Sequence, residues 1–249
     1  MLRKLMMTAA LALALATPAG ALDLEAMSDA ERAAFGEAVR EYLLENPQVL
    51  MEAIAVLEEQ QAADAATAEL TMVSENADAI FNDGHSFIGG NPEGDVTVVE
   101  FIDYRCSFCR RAHPEMDELV ESDGKIRKIV KEFPILGPDS VEASRFAIAT
   151  LQTEGPDAYA AVNDALMVRR GSFDRGALER MGTDLGLDGA AIVAKMDAPA
   201  VTAVIEENRA LAQRLQIGGT PTFVVGERMV RGYLPLDEMR GAVAEVRAQ

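Results

Sequence analysis

The sequence predicts an α/β fold with a helical insertion, preceded by an N-terminal α-helical arm. Three observations predict it. The run "DVTVVEFIDY" has the continuous apolar character of a strand buried on both faces. A Cys-x-x-Cys pair and a helical stretch follow it directly, and then a second apolar strand. A long helical block, two short strands and a last helix complete the chain, an order that belongs to α/β architecture with its active motif at the carboxyl end of a strand.

The chain opens MLRKLMMTAALALALATPAGALD, with Arg3 and Lys4 before an apolar run from Leu5 to Ala16 and a small-residue stretch ending at Ala21. This is the pattern of a secretory signal over residues 1–21, cleaved after Ala21. The apolar run is shorter than the roughly 20 residues a membrane span needs. The mature chain is therefore expected to be soluble and exported. Cleavage removes two cations and no acid, so the net charge of −18 becomes −20. Such an acidic chain makes nucleic acid an unsuitable partner.

Residues 22–84 read as the helical arm. Ser28 with Glu31 three residues on forms a capping box, and Asn46-Pro47 breaks the run into two helices. Phe35, Val39, Tyr42 and Leu43 share one face of the first, and Leu50, Ile54 and Leu57 one face of the second. These stripes need a partner surface, either the domain behind them or copies of the same arm in a homodimer or homotrimer.

Residues 85–249 read as the catalytic domain, with the helical insert at about 138–216. His85 to Gly90 forms a first short strand, Val96 to Ile102 the buried one, and Ser107 to about Val120 the helix that begins at the cysteines. Gly124 turns the chain into a strand from Ile126 to Phe133. The insert is punctuated at Gly155-Pro156, Gly171, Gly186 and Pro199, and after "GGTPTFVVG" come strands near Thr222–Val225 and Met229–Arg231 and a helix from Leu236.

Cys106 and Cys109 are the only cysteines. A structural zinc site needs four ligands, and the chain adds only His85 and His113, with no second Cys-x-x-Cys, so no metal is expected there. A disulfide closing so small a loop constrains the unfolded chain little. A redox couple is the favoured reading, with a Cu(I)-carrying thiolate pair as the alternative from a different class. At a helix N-terminus Cys106 meets unpaired N–H groups and the positive end of the helix dipole, which favour the thiolate. Arg105, Arg110, Arg111 and His113 add positive potential; His113 reads equally well as a helix-surface residue. Cys109, one turn on, is placed as the buried resolving thiol. Glu100 shares a strand face with Val98 and Ile102, which sends a carboxylate into an apolar layer near Cys109. A buried acid there has a raised pKa suited to exchanging a proton with Cys109.

From about His85 onward these residues resemble the DsbA-like thiol–disulfide oxidoreductases of thioredoxin fold. The resemblance is carried by "VTVVEFIDY", Glu100 six residues before Cys106, the Cys-x-x-Cys, Pro114, "KEFPILG" and "GGTPTFVVG". It implies a cis bond before Pro221 facing the cysteines, a Thr220 backbone that pairs with an extended substrate, and Phe108 beside the substrate. It implies exported cysteine-containing proteins as substrates, a membrane-bound redox partner, and no cofactor beyond the Cys106–Cys109 disulfide. The arm and "GNPEGDVTVVEFIDYRCSFCRR" look nearest the ScsC-like branch (suppressor of copper sensitivity protein C), whose members oligomerise through the arm and isomerise disulfides. The chain departs from the strongest oxidants at Ser107-Phe108. Phe108 offers the thiolate no side-chain donor, so the couple is expected nearer about −180 mV than about −120 mV.

Overall fold

The computed structural model describes residues 27–248, so the signal reading of residues 1–21 lies outside the described residues. The described residues divide into two compact units, the first running to Gln61 and the second beginning at Ala62.

In the first unit Ser28 caps helix α1 (Asp29–Glu45), and its capping box with Glu31 is present in full. Asn46 ends the helix, and α2 (Gln48–Glu75) begins after Pro47. α1 buries no residue, and the stripe residues Phe35, Val39, Tyr42, Leu50, Ile54 and Leu57 are all exposed.

The second unit takes in the last turns of α2, whose Val73 is buried, and the short helix α3 (Ala77–Phe81), whose Ile80 is buried. Both pack with Val99, Phe101 and Ile129. The buried Lys131 ammonium grips the Ala79 carbonyl at 2.8 Å and the Asp83 carboxylate beside it. Burial pushes the Asp83 carboxyl up, but the Lys131 ammonium together with the Ser86 hydroxyl and N–H outweighs it and holds Asp83 down at about 2. Residues 73–83, which follow the arm's helical pattern in sequence, are thus part of the packed sheet domain.

The sheet contains β1 (Phe87–Gly90), β2 (Val96–Ile102), β3 (Ile126–Glu132), β4 (Thr222–Val225) and β5 (Arg228–Arg231), in the order β1-β3-β2-β4-β5. β2 is central, parallel to β3 and antiparallel to β4. α4 (Ser107–Asp123) follows β2 and returns to β3 through Gly124, whose φ of 69° is the left-handed cap that glycine permits. The insert supplies α5 (Pro138–Glu154), α6 (Pro156–Val168), α7 (Arg175–Asp184), α8 (Gly189–Lys195) and α9 (Pro199–Arg214), and α10 (Leu236–Arg247) closes the chain.

Strand alternation divides β2 between two cores. Val99 and Phe101 meet the α9 side, where Leu211 and Leu215 pack. Val98 faces Ala112, Met116 and Leu119 of α4 and Met239 and Val243 of α10. Ile102 joins Cys106, Cys109 and the insert helices in a third cluster. The active motif therefore lies where the sheet, α4 and the insert converge.

Candidate active site

Cys106 is the N-cap of α4, in extended conformation, with its sulfur accepting from the Cys109 N–H at 3.4 Å. The Arg110 N–H closes the first helical bond onto the Cys106 carbonyl. Both cysteines are free thiols; Cys106 is 7% exposed and Cys109 fully buried. The Cys109 side chain, the Thr220 side chain and the Cys109 and Phe108 backbone donors bring the Cys106 thiol down to about 5, against the opposing effect of its partial burial. Burial foremost, and the neighbouring Cys106 sulfur next, push the Cys109 thiol well above its ordinary range. Two like side chains three residues apart are thus driven in opposite directions.

The Thr220–Pro221 bond is cis. The Cys106 thiol donates to the Thr220 carbonyl at 3.1 Å, across 114 residues of sequence. Phe108, 55% exposed, stacks beside Tyr233 with ring centroids 6.3 Å apart, and Arg111 lies over the other aromatic at 4.5 Å. The aromatic ledge so formed stands next to the motif.

The arginines do not carry the shift at Cys106. Arg110 donates from Nε to the Tyr104 carbonyl at 2.7 Å, Arg105 lies 3.6 Å from Asp139, and Arg111 is spent on Tyr233. His113 is neither a surface residue nor a partner of the sulfur. It is buried, with Nε2 2.8 Å from Asp164 and 3.4 Å from Asp117. Hydrogen bonds at the helix start, which a sequence shows only as a spacing, do what the nearby cations were expected to do.

Glu100 is 1% exposed, and burial raises its pKa in spite of the favourable charges of Lys128 and His113. Register explains the company it keeps: Glu100 pairs with Val130 and Val98 with Lys128, so the two charged side chains project from the same face of neighbouring strands. Burial alone would strip the Lys128 proton, but Glu100 and Asp117 outweigh it and hold the ammonium charged. Lys128 Nζ reaches Asp117 at 2.9 Å.

Two buried acids escaped the sequence reading. Asp103, fully buried, accepts from the N–H of Arg105, Ile135 and Leu136 at 2.7, 2.8 and 3.0 Å and from the Ser140 hydroxyl at 2.8 Å. It ties the Cys106 approach to the loop that opens the insert. Glu132 accepts from Tyr104 at 2.7 Å and Tyr159 at 2.6 Å, and burial raises it to about 7. Asn163 completes this network by donating to Tyr104 at 3.0 Å. The only trace of either acid in sequence is a carboxylate at the end of an apolar strand.

Comparison with known proteins agrees with this geometry. The family described as Thioredoxin matches residues 82–245, and the Copper resistance protein ScsC N-terminal domain matches residues 31–64. A thioredoxin-like oxidoreductase from Silicibacter pomeroyi DSS-3 is 42% identical over 70% of this chain and 99% of its own, with a TM-score of 0.66. Proteus mirabilis ScsC in a transitional conformation is 27% identical over 90% of this chain and 98% of its own, with a TM-score of 0.64. The thiol:disulfide interchange protein DsbA of Bordetella pertussis is 28% identical over 61% of this chain and 74% of its own. The Na(+)/H(+) antiporter NhaA of Herminiimonas arsenicoxydans is 30% identical over 58% of this chain, which spans only 23% of that relative's length. With its sheet order, its cysteine pair at the start of α4 and these matches, the chain belongs to the thioredoxin family, in the DsbA-like, ScsC-type branch.

Proposed function

We propose that the protein is a periplasmic thiol–disulfide oxidoreductase that forms or isomerises disulfides in exported proteins through Cys106 and Cys109. The observation that carries this reading is the opposite displacement of the two thiols, Cys106 to about 5 and Cys109 upward. At neutral pH such a pair holds one nucleophile and one thiol in reserve.

In the reducing direction the Cys106 thiolate attacks a substrate disulfide, joins one substrate sulfur and releases the other as a thiolate. Cys109 gives its proton to the Glu100 carboxylate and attacks Cys106. The Cys106–Cys109 bond forms, the mixed disulfide breaks, and the substrate leaves reduced while the pair is oxidised. The reverse sequence introduces a disulfide. The pair needs no cofactor of its own, only a membrane-bound partner that resets its redox state. The Thr220 carbonyl, beside Cys106, is an edge acceptor for an extended substrate segment, with Pro221 behind it and Phe108 on the rim.

The exposed apolar faces of α1 and α2 support self-association of residues 22–61, and with it isomerisation, which needs several reactive centres around one misfolded chain. Recovery of activity from a scrambled-disulfide substrate tests this, with the chain from residue 22 compared with one starting at residue 62. Isomerisation lost together with self-association is the expected result; equal activity in both would remove the role of the arm. The copper-carrier reading draws on the paired sulfurs and on the name of the family matched over residues 31–64. Tight one-to-one Cu(I) uptake by the reduced chain, with no turnover of the scrambled substrate, would favour it.

A further inference from the structure

Glu100 is sealed from water, and the proton it takes from Cys109 must leave by some route. A cavity of about 730 Å³ opens where β1, α4, β3 and α6 meet, lined among others by Phe87, His113, Asp117, Lys128 and Asp164. His113 stands four residues beyond Cys109, one helical turn along the same face of α4. Its Nε2 pairs with Asp164 of α6 at 2.8 Å and with Asp117 at 3.4 Å. Both of these carboxylates reach solvent, whereas the His113 side chain is 9% exposed. On the inner side the charges of His113, Lys128 and Asp117 all bear on Glu100, whose Oε1 has no hydrogen-bond partner among the described residues.

We propose that His113, held by Asp164 at this cavity, relays protons between Glu100 and solvent. The inference rests on Cys109 being the resolving thiol. An imidazole carries two ring nitrogens, so one can accept a proton while the other donates one. During resolution the proton leaves the Cys109 sulfur for the Glu100 carboxylate, passes to the His113 ring, and goes from the ring to water. Cys109 meanwhile forms its bond to Cys106, and the substrate sulfur departs with the electron pair of the broken bond. In the reverse reaction the same groups return a proton to Cys109. The ligand atoms of His113, Asp117 and Asp164 lie within 4.8 Å of one another, a spacing that also suits a cation, but the Lys128 ammonium on Asp117 opposes one.

The test is stopped-flow reaction of the reduced chain with one equivalent of dithionitrobenzoate, which releases thionitrobenzoate twice. The first release reports attack by Cys106, and the second reports resolution by Cys109. H113A should slow the second phase by about tenfold or more and leave the first unchanged. Added imidazole, small enough for the cavity, should restore the second phase in proportion to its concentration. H113Q keeps the shape of the ring's site and should be slow as well, so it decides the matter if H113A folds poorly. E121Q, which alters a cavity residue outside the relay, should leave both phases unchanged. An unaltered second phase in both His113 variants, or a slow phase that imidazole does not rescue, overturns the relay. Absence of a second phase in the unmodified chain would instead overturn the role of Cys109.

Discussion

The Cys106 sulfur lies 3.1 Å from the carbonyl oxygen of Thr220, and the two residues are 114 positions apart. As a thiol, Cys106 donates to that oxygen; as a thiolate it faces an acceptor, which by itself opposes ionisation. The thiolate is nevertheless favoured because donors from Cys109, the Thr220 side chain and the start of α4 converge on the same atom. In the proposed reaction the Thr220 oxygen faces the sulfur to which substrate joins.

Titration of the reduced protein by thiolate absorbance should show one ionisation near pH 5, assigned to Cys106 by its loss in C106S. A midpoint near the ordinary thiol value of about 8.5 would remove the proposed nucleophile. The shift has a signed consequence for stability. An acid whose folded pKa is depressed contributes stability that is full above its unfolded value and lost as pH falls through its folded value. The oxidised form has no such group. Thermal unfolding of the two forms should therefore show the reduced form gaining on the oxidised as pH rises from about 5 toward 8.5.

Glu100→Gln removes the proposed proton acceptor while keeping nearly the same volume. It should slow the Cys109-dependent phase by about tenfold or more and leave the Cys106 titration in place. An equal loss in both phases would show that Glu100 serves the packing of the site instead.

Phe108→His places a donor on the exposed rim beside Cys106. A hydrogen bond to a charged group is worth about 1.5–3 kcal/mol, and 1.4 kcal/mol corresponds to about 30 mV for a two-electron couple, so the potential should rise by roughly 30–60 mV. Equilibration with glutathione measures it. No change would mean that the Phe108 position does not see the sulfur.

Asp103→Ala strands three half-buried N–H groups and one buried hydroxyl. A loss of about 3 kcal/mol or more is expected in urea unfolding, since each orphaned donor carries its own desolvation cost. A change below about 1 kcal/mol would mean that the loop after β3 relaxes to find water.

Much of this was legible before folding. The strand Val96–Ile102, the capping box at Ser28 and Glu31, the start of α4 at Ser107 and the break at Pro47 follow from local periodicity and terminal chemistry. Cys106 at a helix start is a local fact, and so is the parity that turns Glu100 toward the face of Val98 and Ile102. Residues 73–83 read as arm because a helical stripe does not name what it packs on; the structure places them against Phe101 and Ile129 and locks Asp83 onto Lys131.

The sequence by itself determined on which element Cys106, Cys109 and Glu100 stand, because helix caps and strand alternation are set by neighbours a few residues away. Only the tertiary structure decided how those residues are tuned. Strand register aligned Lys128 with Glu100, chain return brought Thr220 to Cys106, and the insert brought Asp164 to His113. Burial and opposed charge act through space, and distance along the chain carries no record of them.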